Sequence, residues 1–383
     1  MSKDRDTEVE QSMSLHGEVV RNADNIAKIG QEWDDLFARA HDAPAYLSRA
    51  WAETFINEKR IRGYPLLIVV WAGPKLVALL PLSIRSFFGI RVAEPIGTME
   101  PSCLGLLADS DYTGAIQDVA NVWIRERVAH AFYDKYLSSL DEVTNKLITE
   151  LACRGFAYKL GFRRVCPWIR LNRSFEDYLQ KTKSGKRRRQ LLHQERQVFK
   201  AGDVAVVRYA GEDITTEVIA RIASIQEESW LKRRGAAVLG NSFYQKLSIE
   251  IAKAGLGHIW LMTMDGDDIA FGYALVAHKK LDLRWIAFKL KYESSLSFGK
   301  VLTMWMIRDA CQDGIESFDF GFGDSEFKQF WATDNHDVVM AVAGRGVLGY
   351  LIVLCYRAMW RLAENKWLFS LYRRFRKWRS RLK

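Results

Sequence analysis

Residues 288–331 read FKLKYESSLSFGKVLTMWMIRDACQDGIESFDFGFGDSEFKQFW, a segment that joins a helix start suited to phosphate with a strand end bearing carboxylates. Its centre, VLTMWMIRDAC at 301–311, lacks glycine and proline. Gly299 precedes it and Gly314 follows it, which predicts a helix bracketed by glycines. A glycine opening onto unpaired amides beside Lys300 lets a pyrophosphate approach the backbone; a plain turn uses the same glycine. IESFDF at 315–320 is short, alternating and aromatic and predicts a strand. Asp319 falls within it, and Asp324 falls just beyond it after Gly321, Phe322 and Gly323. A strand, a helix and a second strand predict a crossover in an α/β sheet, whose ligands gather at the strands' carboxyl ends.

Working outward, a hairpin with buried strands is expected from residues 66–71, a turn at 72–74 and residues 76–80. The same plan returns at 259–264 and 269–278, so two diverged copies of one fold are expected. Helices are predicted at 31–39 and 49–57. Residues 174–200 read as helical apart from Ser184 and Gly185, with eight Lys and Arg from 181 to 200 against Glu195 alone. That stretch suits a nucleotide diphosphate, a lipid pyrophosphate or tRNA, and equally a solvated connector. The divisions expected are a flexible tail at 1–25, an N-terminal domain at 26–170, a basic connector at 171–200, a C-terminal domain at 201–345 and a basic amphipathic tail at 346–383.

With 383 residues, 49% hydrophobic and 27% charged, the chain is a folded protein of about two domains, not a disordered one. Its five cysteines are widely spaced without a C-x-x-C pair, and its seven histidines show no metal-ligand spacing and no motif with a serine or cysteine nucleophile. No metal, no disulfide framework and no covalent intermediate are expected. The acidic first residues lack a secretory signal's apolar core, and the longest apolar run, 347–356, is shorter than the roughly 20 residues of a membrane span. The expected place is the cytoplasm, peripheral at the inner face of the membrane. From 346 to 383 ten Lys and Arg face Glu364 alone, nearly the whole chain's net +10. Trp367, Leu368, Leu371, Phe375, Trp378 and Leu382 recur there at helical spacing. Such a face lies on an anionic membrane surface or packs on the protein body.

The order Tyr292, Leu296, Gly299, a helix, FDFGFGD and then Phe327 and Lys328 resembles the acetyltransferase domain of the GNAT superfamily found in CelD-like exopolysaccharide and cellulose biosynthesis proteins. Glu227, Glu228 and Trp230, then Phe243 and Tyr244, extend the resemblance, which covers about residues 170–335. Two departures stand out. Phe298 precedes Gly299 where members often carry proline, and the Arg/Gln-x-x-Gly-x-Gly/Ala signature of other GNAT enzymes is missing. The resemblance implies an α/β (α+β) fold of tandem GNAT-like domains, mixed central sheets flanked by helices, as in Fem-type transferases. The first copy lacks the glycine-led helix and FDFGFGD, so it is expected to support the site or shape the acceptor groove.

That family implies direct transfer from acetyl-CoA or another acyl-CoA to an amine, here of a sugar or polysaccharide precursor. By position, Phe298, Gly299 and Lys300 would hold the pyrophosphate and residues 285–288 the pantetheine. Asp324 is the first candidate base and Asp319 the second, because apolar Phe320, Phe322 and Phe327 should raise a neighbouring carboxylate's pKa. Lys328 opposes that rise, and an Asp324–Lys328 ion pair would only fix the loop. Tyr292 is a candidate acid for the thiolate or a buried structural tyrosine; Trp230 is an acceptor wall or a core residue. The rivals are a Fem-type aminoacyl-tRNA-dependent transferase and a non-catalytic scaffold of a polysaccharide assembly. A nucleic-acid partner is not the reading favoured.

Overall fold

The computed structural model describes residues 14–364 other than 99, 101–102, 113, 172–173 and 293–295. The strands are β1 (Leu15–Arg21), β2 (Tyr64–Ala72), β3 (Lys75–Phe87), β4 (Ile90–Pro95), β5 (Leu107–Ala108), β6 (Ala131–Ser138), β7 (Phe156–Arg170), β8 (Val204–Ala210), β9 (Gly257–Met264), β10 (Asp267–Ala277), β11 (Lys280–Phe288), β12 (Ser317–Asp319) and β13 (Asp334–Arg345). The helices are α1 (Ala23–Lys28), α2 (Gly30–Arg39), α3 (Arg49–Asn57), α4 (Ala115–Arg125), α5 (Glu142–Cys153), α6 (Phe175–Thr182), α7 (Gly185–Lys200), α8 (Thr216–Glu227), α9 (Trp230–Arg233), α10 (Ser242–Lys253), α11 (Phe298–Gln312), α12 (Glu326–Trp331) and α13 (Gly346–Glu364).

Local chemistry explains the element ends. Ser48 caps α3 through the Trp51 amide, and Asp141 caps α5 through Thr144. Ser184 caps α7 through Arg187, so the break expected at 184–185 is where one helix stops and the next begins. Residues 15–21 correct the expected loose tail. They form β1 along β2, an edge strand whose sequence LHGEVVR buries little and therefore lacks a strong apolar pattern. The first 13 residues of that tail, and residues 365–383 with the aromatic positions from Trp367 to Leu382, lie outside the described residues.

The halves repeat one plan. β1 precedes three helices, then the antiparallel β2, β3 and β4, then α4 and a strand, β6, parallel to β4. Likewise β8 precedes α8, α9 and α10, then antiparallel β9, β10 and β11, then α11 and β12 parallel to β11. Each half ends in a long strand that it gives to the other. β7 pairs with β12, β13 pairs with β6, and β7 and β13 pair with each other. One mixed sheet thus runs β1-β2-β3-β4-β6-β13-β7-β12-β11-β10-β9-β8. Boundaries at 170 and 345 keep each half's sequence together but not its sheet, because the exchanged strands bind residues far apart in the chain.

One face of the sheet is covered by helices of both halves, whose side chains merge. Phe55 of α3 meets Phe243 of α10 edge-on at 5.0 Å, and Trp51 lies 5.3 Å from Phe55. The other face carries separate clusters, α4 and α5 over the first half and α6, α7 and α11 over the second.

Candidate active site at the parting of two parallel strands

β11 and β12 pair only at Lys280–Ser317, Leu281–Phe318 and Asp282–Asp319. Gly321 and Gly323, at φ 66° and 105°, then turn the chain away in a conformation that glycine adopts without strain. β11 continues to Phe288 beside β10, so the sheet opens beyond the Asp282–Asp319 rung. At that opening β11 bulges: Tyr273 faces Trp285 and Ala274 faces Leu283, leaving Arg284 as the extra residue.

Asp319 is fully engaged. Its Oδ1 accepts the Gly321 amide at 2.6 Å, and its Oδ2 lies 2.5 Å from Nε2 of His336. Nδ1 of His336 lies 3.2 Å from Ser138 Oγ, which also accepts the Leu140 amide. Burial alone would lower the His336 pKa, but the hydrogen bond and charge of Asp319 outweigh it and the net shift is upward. Ser138 comes from β6 and His336 from β13, so the strand exchange assembles this line from both halves.

Asp282 is different. None of the described residues hydrogen-bonds its carboxylate. Burial and then the neighbouring Asp319 charge push it up to about 7, against the opposing effect of Lys280, His336 and Arg284. Beside it Arg284 pairs with Glu100 at 3.2 Å and lies over the rings of Trp285 and Trp51, at 4.8 and 4.9 Å. Tyr244 donates to Glu100 at 2.6 Å. The first half therefore supplies one wall of the opening.

The remaining expected residues scatter around this centre. Gly321 and Gly323 turn Asp324 into solvent, so the apolar enclosure expected from Phe320, Phe322 and Phe327 does not form around it. Phe320 is buried instead, and Phe322 stacks on Tyr136 at 5.1 Å. Nor does Lys328 pair with Asp324. Its ammonium donates to the carbonyls of Gly321 and Phe322 at 3.0 and 2.8 Å; burial lowers its pKa, while nearby Asp319 and Cys166 oppose that. Tyr292 donates to Asp267 at 2.8 Å, a carboxylate that Lys289 and Lys291 also hold, well below the usual range. Phe298 is buried and anchors the start of α11, where no side chain caps the first amides. Gly299 faces open space apart from ordinary contacts with Phe288 and Phe327, and Lys300 lies over Phe330 at 5.1 Å. Trp230 is half-buried against the helical core under Arg234.

Sequence reasoning missed Asp282, Arg284, His336 and Ser138. For the first two a signal existed: KLDLRWIAF sets an aspartate and an arginine among apolar residues, where an ionisable group needs a reason. His336 and Ser138 are 198 residues apart and carry no local signal. Among the described residues no His, Cys, Asp and Glu group is arranged to hold a metal. A concavity of ≈ 580 Å³ lined by Arg21, Lys59 and Tyr64 shares no residue with the centre described above.

Residues 185–329 match the family model described as an acetyltransferase (GNAT) domain, and the opening between β11 and β12 lies within the matched residues. No curated protein matches the chain. Among solved structures, FemX aligns with a TM-score of 0.58 at 14% identity, covering 84% of this chain and 96% of its own. The C-terminal domain (DUF2156) of a putative lysylphosphatidylglycerol synthetase from Agrobacterium fabrum aligns with a TM-score of 0.53 at 12% identity, covering 86% and 95%. A tandem GNAT protein from the clavulanic acid biosynthesis pathway aligns with a TM-score of 0.45 at 12% identity, covering 86% and 99%. The fold is an α/β arrangement of tandem GNAT-like halves, and its second half is acyltransferase-like.

Proposed function

We propose that this protein is a cytoplasmic N-acyltransferase that moves an acyl group from acyl-CoA, acetyl-CoA in the simplest case, to an amine of a sugar or polysaccharide precursor in exopolysaccharide or cell-envelope biosynthesis. The observation that carries the reading is Asp282. It is an unengaged carboxylate with a pKa near 7 on the last rung before two parallel strands part. A base tuned to neutral pH is what an ammonium acceptor requires.

In the reaction Asp282 takes a proton from the ammonium. The freed nitrogen attacks the thioester carbon, the C–N bond forms, the C–S bond breaks, and the second nitrogen proton passes to the leaving thiolate. Asp319, fixed by Gly321 and His336, keeps Asp282 basic through its charge and serves as a positioning residue. The uncapped amides at Phe298, Gly299 and Lys300 suit the donor's pyrophosphate. Tyr292, committed to Asp267, orders the approach to α11. Half-buried Tyr244 and Trp285, with Glu100 and Arg284, offer aromatic faces and a few charged groups for the acceptor. The sugar acceptor itself rests on the resemblance to CelD-like proteins.

Calorimetry with acetyl-CoA tests the donor. Wild type should bind, and Gly299→Trp should not, with an unchanged melting temperature. If wild type fails to bind, the acyl-CoA reading falls. An aminoacyl-tRNA donor then becomes the better reading, for which the exposed Lys186, Arg187 and Arg189 on α7 are the motive.

A further inference from the structure

α13 is seated tightly on one side and bare on the other. Val353 and Trp360 are buried against β7 and β13 with Val342, Tyr133 and Phe162. A Cβ at Gly161 would lie 2.2 Å from the Trp360 ring, and one at Gly349 would lie 2.4 Å from the His130 carbonyl oxygen. Glycine at both places lets the helix and sheet approach closely. The opposite side exposes Val347, Tyr350, Leu351, Met359 and Leu362, each at least half accessible. Single exposed apolar residues are ordinary, but a row of them along one helix marks an interaction surface.

A second element adds to it. The turn between β3 and β4 exposes Phe88 at 91% and Phe87 at 70%. Arg85, two residues before Phe87 on the same strand, reaches the Tyr356 hydroxyl of α13 at 3.5 Å, so Phe87 lies on the sheet face that α13 covers. Charge identifies the partner. Arg357 and Arg361 are exposed on α13, and residues 365–383 add eight Lys and Arg with no Asp or Glu. A second copy of the chain would set these cations against their own kind.

We propose that the outer face of α13, with its exposed Arg357 and Arg361, and the Phe87–Phe88 turn form one docking surface for an anionic lipid bilayer. The apolar side chains enter the interface and the cations meet the headgroups. No described helix is long and apolar enough to cross a membrane, so the contact lies on the surface. It is independent of the acyl-transfer reading.

Vesicle sedimentation tests it with the full chain. Wild type should pellet with phosphatidylcholine vesicles containing phosphatidylglycerol and far less with phosphatidylcholine alone. Combining Phe88→Ser with Leu351→Asn, both at exposed positions, should weaken binding roughly tenfold or more. Changing Arg357 and Arg361 to glutamine should cost about fivefold each. The proposal is overturned if wild type stays in the supernatant, or if the apolar pair binds as tightly as wild type. It is also overturned if light scattering shows a dimer that the apolar pair splits, since a second copy would then cover the face.

Discussion

Replacing Asp282 by asparagine should make the protein more stable and less active at once, and the stability effect should depend on pH in a defined way. In the unfolded chain the carboxyl titrates near 3.8, whereas in the fold burial and the adjacent Asp319 hold it at about 7. Between those values the native state keeps a proton that the unfolded state has released, so wild-type stability falls as pH rises. The gap of about three units at about 1.4 kcal/mol each corresponds to roughly 4 kcal/mol, an upper bound. Part of the residue still reaches solvent, which brings the expected gain nearer to roughly 2–3 kcal/mol. Urea unfolding of both proteins at pH 4 and pH 8 measures it. The variant should match wild type at pH 4 and exceed it at pH 8, while its acyl transfer drops by about a hundredfold or more for want of the base. Equal stability differences at both pH values would refute the placement of a costly charge at Asp282. Full activity in the variant would refute its role as base and would favour a non-catalytic scaffold.

The other expectations can be checked singly. Asp319→Asn removes the group that raises His336, leaving burial dominant, so the His336 titration followed by NMR should move from above the ordinary histidine value to below it. Gly161→Val forces a side chain into the Trp360 ring and should cost about 1–3 kcal/mol, read as a lower urea midpoint with an unchanged slope. Phe243→Ala empties the contact between α3 and α10 and should cost about 3–5 kcal/mol. Because that core and the sheet run through both halves, the loss should appear as one cooperative transition, not as early unfolding of the second half alone.

What the sequence made legible is what short-range physics controls. The helices expected at 31–39, 49–57 and 301–311 correspond to α2, α3 and α11, and the two hairpins expected from apolar runs about a glycine turn correspond to β2–β3 and β9–β10. Caps and glycine punctuation act over a few residues, so a window of sequence contains them. β1 escaped because an edge strand of half-buried residues lacks a strong period. The centre was half legible for a similar reason. The FDFGFGD strand end pointed to Asp319, but its neighbours there, Asp282 and His336, arrive from β11 and the exchanged β13. Asp324 looked enclosed because aromatic residues surround it in sequence; the positive φ angles of Gly321 and Gly323, which the residue order does not reveal, send it outward.

The strand exchange also explains why the first half persists without the glycine-led helix motif. Its α4 occupies the place that α11 takes in the second half, and its β6 runs parallel to β4 as β12 does to β11. What it contributes to the opening is a set of contacts: Ser138 behind His336, Glu100 on Arg284, and Trp51 under the same guanidinium. β13 leaves the second half to pair with β6, and it carries His336 to Asp319 on the way. The second half alone would therefore lose Ser138 and the β6 pairing that holds β13 and His336 in place. If Asp282 is the base, the first half need perform no transfer of its own to matter, because its Ser138 backs the His336 that holds Asp319, the charge beside Asp282.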